Sequence, residues 1–380
     1  MSTASQTRAD RLTEAALVES IRRLVECESP SSDDAAVARS ADLVAELGGE
    51  LLGTAPERIE VGGCTHLRWR FGAATRVLLL AHHDTVWPAG TIGRLPFSVQ
   101  DGVLRGPGSF DMKAGLAMAL HALGALDDRN GVTLLVTGDE EIGSARSREL
   151  IEETARGAAA VFVLEASADG GALKAARKGA AMYDITIEGR AAHAGLEPQN
   201  GVNATVALAH LVLAAEALAD AGAGTTVTPT LASSGATGNT VPALASLHID
   251  ARAWSAAELE RVDRALRAYR SPVDGARIVL GGGINRPPLE RAMSARLLAL
   301  AEEISTRHGR GAVAAVEVGG GSDGNFTAAL GVPTLDGLGA VGGGAHADEE
   351  HVLVAELLPR TRLLIELIGQ TTRTDEPWHG

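Results

Sequence analysis

Apolar and polar positions follow two different rhythms along the chain. Between residues 77 and 165, three apolar runs of strand length (77–81, 132–137 and 160–164) each stop at ionisable side chains. A run that is apolar at every position suits a strand covered on both faces, as in a parallel sheet. Helical periodicity fills the spaces around these runs, at residues 10–27, 33–48, 112–126 and 144–155. Ser31-Ser32-Asp33-Asp34 supplies N-cap residues for the second helix, and Gly48-Gly49 is expected to end it. Short strand-like pieces at 58–61 and 66–71 precede the first apolar run. Alternation of this kind predicts α/β layers, whose ligands bind at the carboxyl ends of the strands.

From residue 180 the rhythm changes, because 182–188 alternates apolar and polar residues as a strand wet on one face does. A helical stretch at 202–221 follows, then strand-like segments near 226–231 and 245–253. Ser255-Ala-Ala-Glu258 has the spacing of a capping box and opens another helix, and 276–280 closes the set. The order β-α-β-β-α-β is the ferredoxin-like pattern, so an inserted α+β domain is expected at 180–287, between two parts of the main domain, 1–179 and 288–380. The second part reads as helix 290–308, strand 312–316, the turn Gly319-Gly320-Gly321-Ser322-Asp323, a helix over 351–370 and a frayed tail at 371–380.

Length and charge narrow the function classes. At 380 residues the chain exceeds what one core usually supports, which agrees with two domains. A net charge of −14 without any block of Lys or Arg excludes a nucleic-acid partner and suits a protein that collects divalent cations. No run has membrane-span length and the first ten residues lack the apolar core of a signal peptide, so the expected location is the cytoplasm, away from membranes. Cys27 and Cys64 have no metal-ligand spacing and read as idle thiols.

Five segments place metal-ligand residue types at strand ends or in loops: His82 with Asp84, Asp111, Glu140 with Glu141, Glu165, and His346 with Asp348. Imidazole mixed with carboxylate is a zinc set, whereas magnesium and calcium prefer oxygen throughout. In His82-x-Asp84 alternate residues of an extended chain point the same way, so Asp84 is placed to fix the imidazole tautomer while His83 faces away. Adjacent glutamates project differently, which lets one of Glu140 and Glu141 hold a metal while the other acts as general base.

Three of these segments stand in Ala81-His-His-Asp-Thr-Val86, Gly106-Pro-Gly-Ser-Phe-Asp-Met-Lys-Ala-Gly115 and Thr137-Gly-Asp-Glu-Glu-Ile-Gly143, and the chain also carries Ala192-His-Ala-Gly195 and Gly319-Gly-Gly-Ser-Asp323. In that order the chain resembles, over about residues 15 to 370, the di-zinc metallopeptidase and deacylase superfamily. Its members include glutamate carboxypeptidase, succinyl-diaminopimelate desuccinylase, acetylornithine deacetylase and aminoacylase. The resemblance implies a catalytic domain with a central mixed sheet flanked by helices and an inserted ferredoxin-like lid and dimerisation domain. It implies two Zn2+ per subunit, replaceable by Co2+ or Mn2+, with His82 and Glu165 on one, Glu141 and His346 on the other, and Asp111 bridging. It makes Glu140 the general base and Asp84 the partner of His82, and implies a cis peptide between Asp111 and Met112. His193 is implied to reach the neighbouring subunit's site as an oxyanion donor, which requires a homodimer through the inserted domain.

Gly238-Asn239-Thr-Val-Pro242, Asp250-Ala-Arg252 and Asn285-Arg286-Pro287-Pro288 resemble the carboxylate-binding positions of glutamate carboxypeptidase. The implied substrate-binding residues are Arg286, Asn239, Arg252 and Gly320, with a guanidinium gripping a free carboxylate through two hydrogen bonds. The expected activity is a zinc-dependent amidohydrolase or carboxypeptidase that releases a C-terminal amino acid, glutamate above all, from a small peptide or N-acyl amino acid. The alternatives are an N-acyl amino-acid deacylase and a ligand-binding homologue without catalysis. Ala81 departs from the pattern where many relatives carry Gly.

Overall fold

The structure, a computed structural model, describes residues 12–374; the reading of the N-terminal ten residues and most of the expected tail lie outside that range. The chain divides into two compact units. One joins the chain before Arg177 to Arg291–Val318 and the stretch from Ser322 onward, and the other comprises Arg177–Glu290 with Gly319–Gly321.

Helix α1 (Glu14–Glu26) is capped by the Thr13 hydroxyl, and α2 (Asp34–Leu52) by the Asp33 carboxylate, which accepts from Ala35 N and Ala36 N. Each cap satisfies amide groups that the first turn leaves without partners. α2 does not stop at Gly48-Gly49 but runs on to a left-handed Gly53. A Cβ at Gly48 would lie 2.3 Å from the Trp69 ring, so that glycine serves close packing rather than termination. There follow β1 (Glu57–Val61), β2 (Cys64–Phe71), β3 (Val77–His82), β4 (Ser98–Gln100), β5 (Val103–Arg105), α3 (Ala114–Ala125), β6 (Val132–Thr137), α4 (Arg148–Ala155), β7 (Ala160–Val163) and β8 (Leu173–Arg177). α3 starts two residues later than its periodicity predicts because Asp111 and Met112 have non-helical backbone angles. α4 likewise starts at Arg148, after a turn in which Ser144 has φ +58.

The second unit contains β9 (Gly179–Glu188), α5 (Ala204–Glu216), β10 (Thr226–Ser234), β11 (Leu244–Ala253), α6 (Ala256–Ala268) and β12 (Arg277–Arg286). Its antiparallel sheet has the order β10-β11-β9-β12, the ferredoxin-like arrangement. Inward residues Tyr183, Ile185 and Ile187 meet Leu208 and Leu211 of α5 and Leu259 and Val262 of α6 in one core. Entry and exit of this unit are clasped: Arg177 N donates to Leu289 O at 2.9 Å, and Leu289 N donates to Arg177 O at 3.1 Å.

The chain returns through α7 (Arg291–Arg307), β13 (Ala315–Val318), α8 (Gly324–Ala329), β14 (Thr334–Leu335), β15 (Gly342–Gly343), β16 (His351–Leu353) and α9 (Val354–Arg373). Ser294 Oγ donates to Ala175 O at 2.6 Å, so the first unit is left and rejoined at neighbouring points. β13 lies later than expected, after left-handed Gly309 and Gly311. His351 is a strand residue paired with Arg105 rather than the start of a helix, and α9 extends through 371–373, which the sequence reads as tail.

The main sheet runs β1-β2-β6-β3-β7-β14, with β3 parallel to both β6 and β7. Val77, Leu79 and Ala81 face a core built with α1, α2, α3, α7 and α9, whereas Leu78 and Leu80 face a second core with α4 and α8. Each of the Val and Leu side chains contributes roughly 1.5–3 kcal/mol by leaving water, so slipping the strand by one residue would exchange its two faces at large cost. The residues at the strand ends are fixed accordingly. Among the described residues no helix is long and apolar enough to cross a membrane.

Candidate metal centre

β6, β3 and β7 are neighbours, and their carboxyl ends deliver Glu140 and Glu141, His82, and Glu165 to one place. His82 Nε2 lies 3.5 Å from Asp111 Oδ1 and 3.5 Å from Glu165 Oε1. His346 Nε2 lies 3.3 Å from Asp111 Oδ2 and 3.3 Å from Glu141 Oε2. The two oxygens of Asp111 therefore face two different imidazoles, each accompanied by a further carboxylate. Asp111 sits at a cis Asp111–Met112 peptide, and His346 has φ +63, an uncommon conformation for a residue with a Cβ. α3 approaches closely enough that a Cβ on Gly115 would lie 2.0 Å from Leu164 O, which keeps the helix tight against the residue preceding Glu165.

The donor set suits a pair of metal ions. Bonds of about 2.0–2.1 Å to a tetrahedral zinc put neighbouring ligand atoms about 3.3–3.4 Å apart, close to the separations here. Among the described residues, His82 Nε2, Asp111 Oδ1 and Glu141 Oε1 are buried atoms without hydrogen-bond partners. Leaving such atoms bare is costly unless a cation meets them. Electrostatics agree. Burial pulls the His82 pKa down, but the carboxylates of Asp111, Asp84 and Glu165 overcome it and raise it well above the ordinary value. The Asp111 and Glu141 carboxylates beside His346 raise that imidazole to about 10. Burial opposes ionisation of Asp111, yet His346 and His82 hold it well below the usual carboxylate range, while burial pushes Glu141 up.

His82 Nδ1 donates to the backbone oxygen of Asp84 at 3.0 Å, leaving the Nε2 lone pair for a metal; the Asp84 carboxylate is 3.4 Å away. The tautomer is thus held by the main chain rather than by the side chain the sequence suggests. The fully buried Asp84 carboxylate instead accepts from Glu140 N at 3.3 Å, Glu141 N at 3.2 Å and Ser31 Oγ at 2.6 Å. It holds the turn that carries both glutamates. His83 points away, buried, with Nε2 against Thr65 O at 3.1 Å. Asp348 is not at the site but pairs with Arg94 on the surface. Glu350, which sequence reasoning passes over, is buried and accepts four hydrogen bonds, three of them from the backbone of residues 108–111.

Residues 78–370 match the description Peptidase family M20/M25/M40. The chain belongs to this family. Carboxypeptidase G2 from Pseudomonas sp. (strain RS-16) is 30% identical over 374 residues, covering 93% of this chain and 89% of that protein. Succinyl-diaminopimelate desuccinylase 2 from Shewanella loihica is 35% identical over 204 residues, 47% of this chain and 54% of that one. Among solved structures, aminopeptidase PepT from Bacillus cereus shares the fold with a TM-score of 0.76 at 22% identity, covering 95% of this chain and 100% of its own. Bacillus subtilis YXEP, described as a dinuclear metal binding peptidase from the M20 family, gives 0.64 at 16% identity, covering 93% and 97%. M20 membership makes the chain a metal-dependent hydrolase of the metallopeptidase type.

The remaining residues singled out in the sequence lie in the second unit. Exposed His193 accepts from Gly195 N and Leu196 N, both at 3.1 Å, through Nδ1, which leaves Nε2 to carry the proton of the neutral ring. Asn239 is next to it, its carbonyl accepting from Ala194 N at 2.9 Å. Arg252 and the buried Arg286 both pair in register with Ala180, one on each side, at one end of the sheet. Arg252 is engaged by Asp250 at 2.9 Å. Gly320 O accepts from Arg177 Nη1 at 3.1 Å. A further buried group, Cys64, His66 and Asp139, brings potential ligand atoms within 4.8 Å of one another. Gly138 N donates to His66 Nδ1 at 3.2 Å, which puts the neutral ring's proton on Nε2, and burial pushes the Cys64 thiol up to about 12. The imidazole and the thiol of that group thus present protons, and the Asp139 carboxylate is left as its one lone-pair donor.

Proposed function

We propose that the protein is a di-zinc hydrolase that cleaves an amide bond to release a C-terminal amino acid, glutamate being the favoured one. The observation that carries this reading is the position of Asp111 between His82 and His346, each with its own second carboxylate. In this reading His82, Glu165 and Asp111 hold one ion, and His346, Glu141 and Asp111 the other. The pair, when bound, supplies Lewis-acid polarisation of the carbonyl and lowers the pKa of water. Glu140, on the turn held by Asp84, accepts the attacking water's proton and hands it to the departing amine. Arg286 binds the substrate's free carboxylate, and Asn239, Arg252 and Gly320 are the further substrate-binding residues.

His193 donates its Nε2 hydrogen to the developing oxyanion of a partner subunit's site. Support for a homodimer comes from apolar side chains exposed in the second unit, where Leu213 is 65%, Leu231 71% and Leu244 59% exposed. A second reading, deacylation of N-acyl amino acids, is favoured by the desuccinylase similarity. The test is hydrolysis of N-acyl-glutamates, N-acetyl-ornithine and neutral N-acyl amino acids by the zinc-loaded protein. Preference for the glutamates is expected; preference for either other class supports the deacylase reading, and turnover of none overturns both.

A further inference from the structure

Glu350 lies four residues beyond His346 and has no part in the reaction as proposed. Its Oε1 accepts from Phe110 N at 2.8 Å and Asp111 N at 3.0 Å; its Oε2 accepts from Gly108 N at 2.9 Å and Trp87 Nε1 at 2.8 Å. Four donors on one buried carboxylate make a strong, fully oriented anchor. Three of those donors belong to the segment that ends in Asp111, while the acceptor belongs to the loop that carries His346. That loop is compact. Ala347 N donates to Gly344 O at 2.9 Å and Glu350 N donates to Ala347 O at 2.9 Å, so a shift of Glu350 is transmitted to His346.

The geometry points to Glu350 as a positioning residue that fixes the distance between Asp111 and His346, and so maintains selectively the metal subsite they share with Glu141. This rests on the ligand assignment above. The other subsite shares Asp111 but takes its remaining ligands from the ends of β3 and β7, which are set by the hydrophobic core and not by Glu350, so it is affected less. A glutamine cannot substitute, although it has the same shape. Either orientation of its amide turns an NH2 group toward two N–H donors, so two of the four bonds are lost.

The experiment titrates metal-free wild type, Glu350→Gln and Trp87→Phe with Zn2+ by calorimetry, with thermal melts of the metal-free proteins alongside. Wild type should bind two equivalents. Glu350→Gln should bind one within a fewfold of wild-type affinity, since that site shares only Asp111 with the Glu350 anchor, and bind the other roughly 10–100-fold more weakly, the usual effect of removing a group that orients a ligand. Trp87→Phe removes one donor of the four and should weaken the same equivalent by roughly threefold to tenfold. Equal weakening of both equivalents, as a merely structural role would produce, overturns the inference, and so does weakening of neither. Should Glu350→Gln fail to fold, Trp87→Phe decides by the same criteria. Binding of fewer than two equivalents by wild type removes the ligand assignment and the inference with it.

Discussion

Replacing Asp84 by Asn tests whether the chemistry depends on how the Glu140–Glu141 turn is held. The substitution keeps the shape and removes one acceptor. With the new NH2 at the Oδ1 position, Glu140 N loses its acceptor; at the Oδ2 position, Glu141 N loses its acceptor. Ser31 adapts in the second case, because its hydroxyl can turn to Thr85 O, 3.1 Å away, and accept from the amide. In either orientation one glutamate amide is left unpaired near the protein interior, which costs about 1–3 kcal/mol, equivalent to roughly a 10–100-fold change when relieved by displacing the turn. Asp84→Asn should therefore lower kcat by about that factor while zinc content, measured by elemental analysis, stays near wild type, since His82 Nδ1 donates to the main chain and not to the altered group. Ser31→Ala leaves both glutamate amides paired and should cost only a fewfold. Wild-type kcat in Asp84→Asn would show that the carboxylate does not hold the base, and loss of one zinc would show that it orients His82 after all.

Glu140→Gln should abolish turnover with both zincs retained, because an amide accepts no proton from water; appreciable residual kcat assigns the base elsewhere. His193→Ala should lower kcat by about 10²–10³ with zinc content unchanged. Mixing it with Glu140→Gln should restore activity once subunits exchange, since one hybrid site then combines an intact Glu140 with an intact His193, and demonstrated exchange without recovery rules out action across subunits. Burial holds the His121 imidazole, bonded to Ser20 Oγ at 2.9 Å, down at about 4. The folded state then binds this proton less readily than the unfolded state, so the stability is full above the unfolded value of 6.5 and is lost as pH falls from there toward 4. Urea melts at about pH 7 and about pH 4.5 should show His121→Gln losing about 2 kcal/mol less than wild type, and equal losses refute the assignment.

The proposed ligands that follow apolar strands are the ones a reader of the sequence finds easily. His82 and Glu165 come directly after runs in which every residue is buried, and such runs have few readings other than a central strand. The inserted unit is legible for a similar reason, because the alternating burial of β9 is written into its residue types. Glu350 is not legible. It is the third residue of an acidic run, Asp348-Glu349-Glu350, which reads as a solvated turn, and its partners Trp87 and Gly108–Asp111 lie between 239 and 263 positions away. Gly48 misleads in the opposite direction. A glycine in a helix reads as an end until the Trp69 ring above it is known. Short strands such as β4, β5 and β16 are too brief for any periodicity, and their pairing is decided by segments far apart in sequence.

The clasp between Arg177 and Leu289, together with the Ser294 hydroxyl on Ala175 O, means that more than a hundred residues interrupt the host unit at what amounts to a hairpin turn. Closing a loop costs entropy that grows only slowly with its length, and here hydrogen bonds hold the two ends together. The host thus meets its insertion as a single short connection. Every proposed metal ligand lies in the host, whereas Arg286, Asn239 and His193 lie in the insertion, so the two can diverge as separate cassettes. On the proposed roles, exchanging the residues between the clasped ends alters recognition while every proposed metal ligand stays in the host. A host closed by a few turn residues between Ala176 and Arg291 should still fold and bind metal ions at the proposed ligands, with Arg286, Asn239, Arg252 and His193 gone.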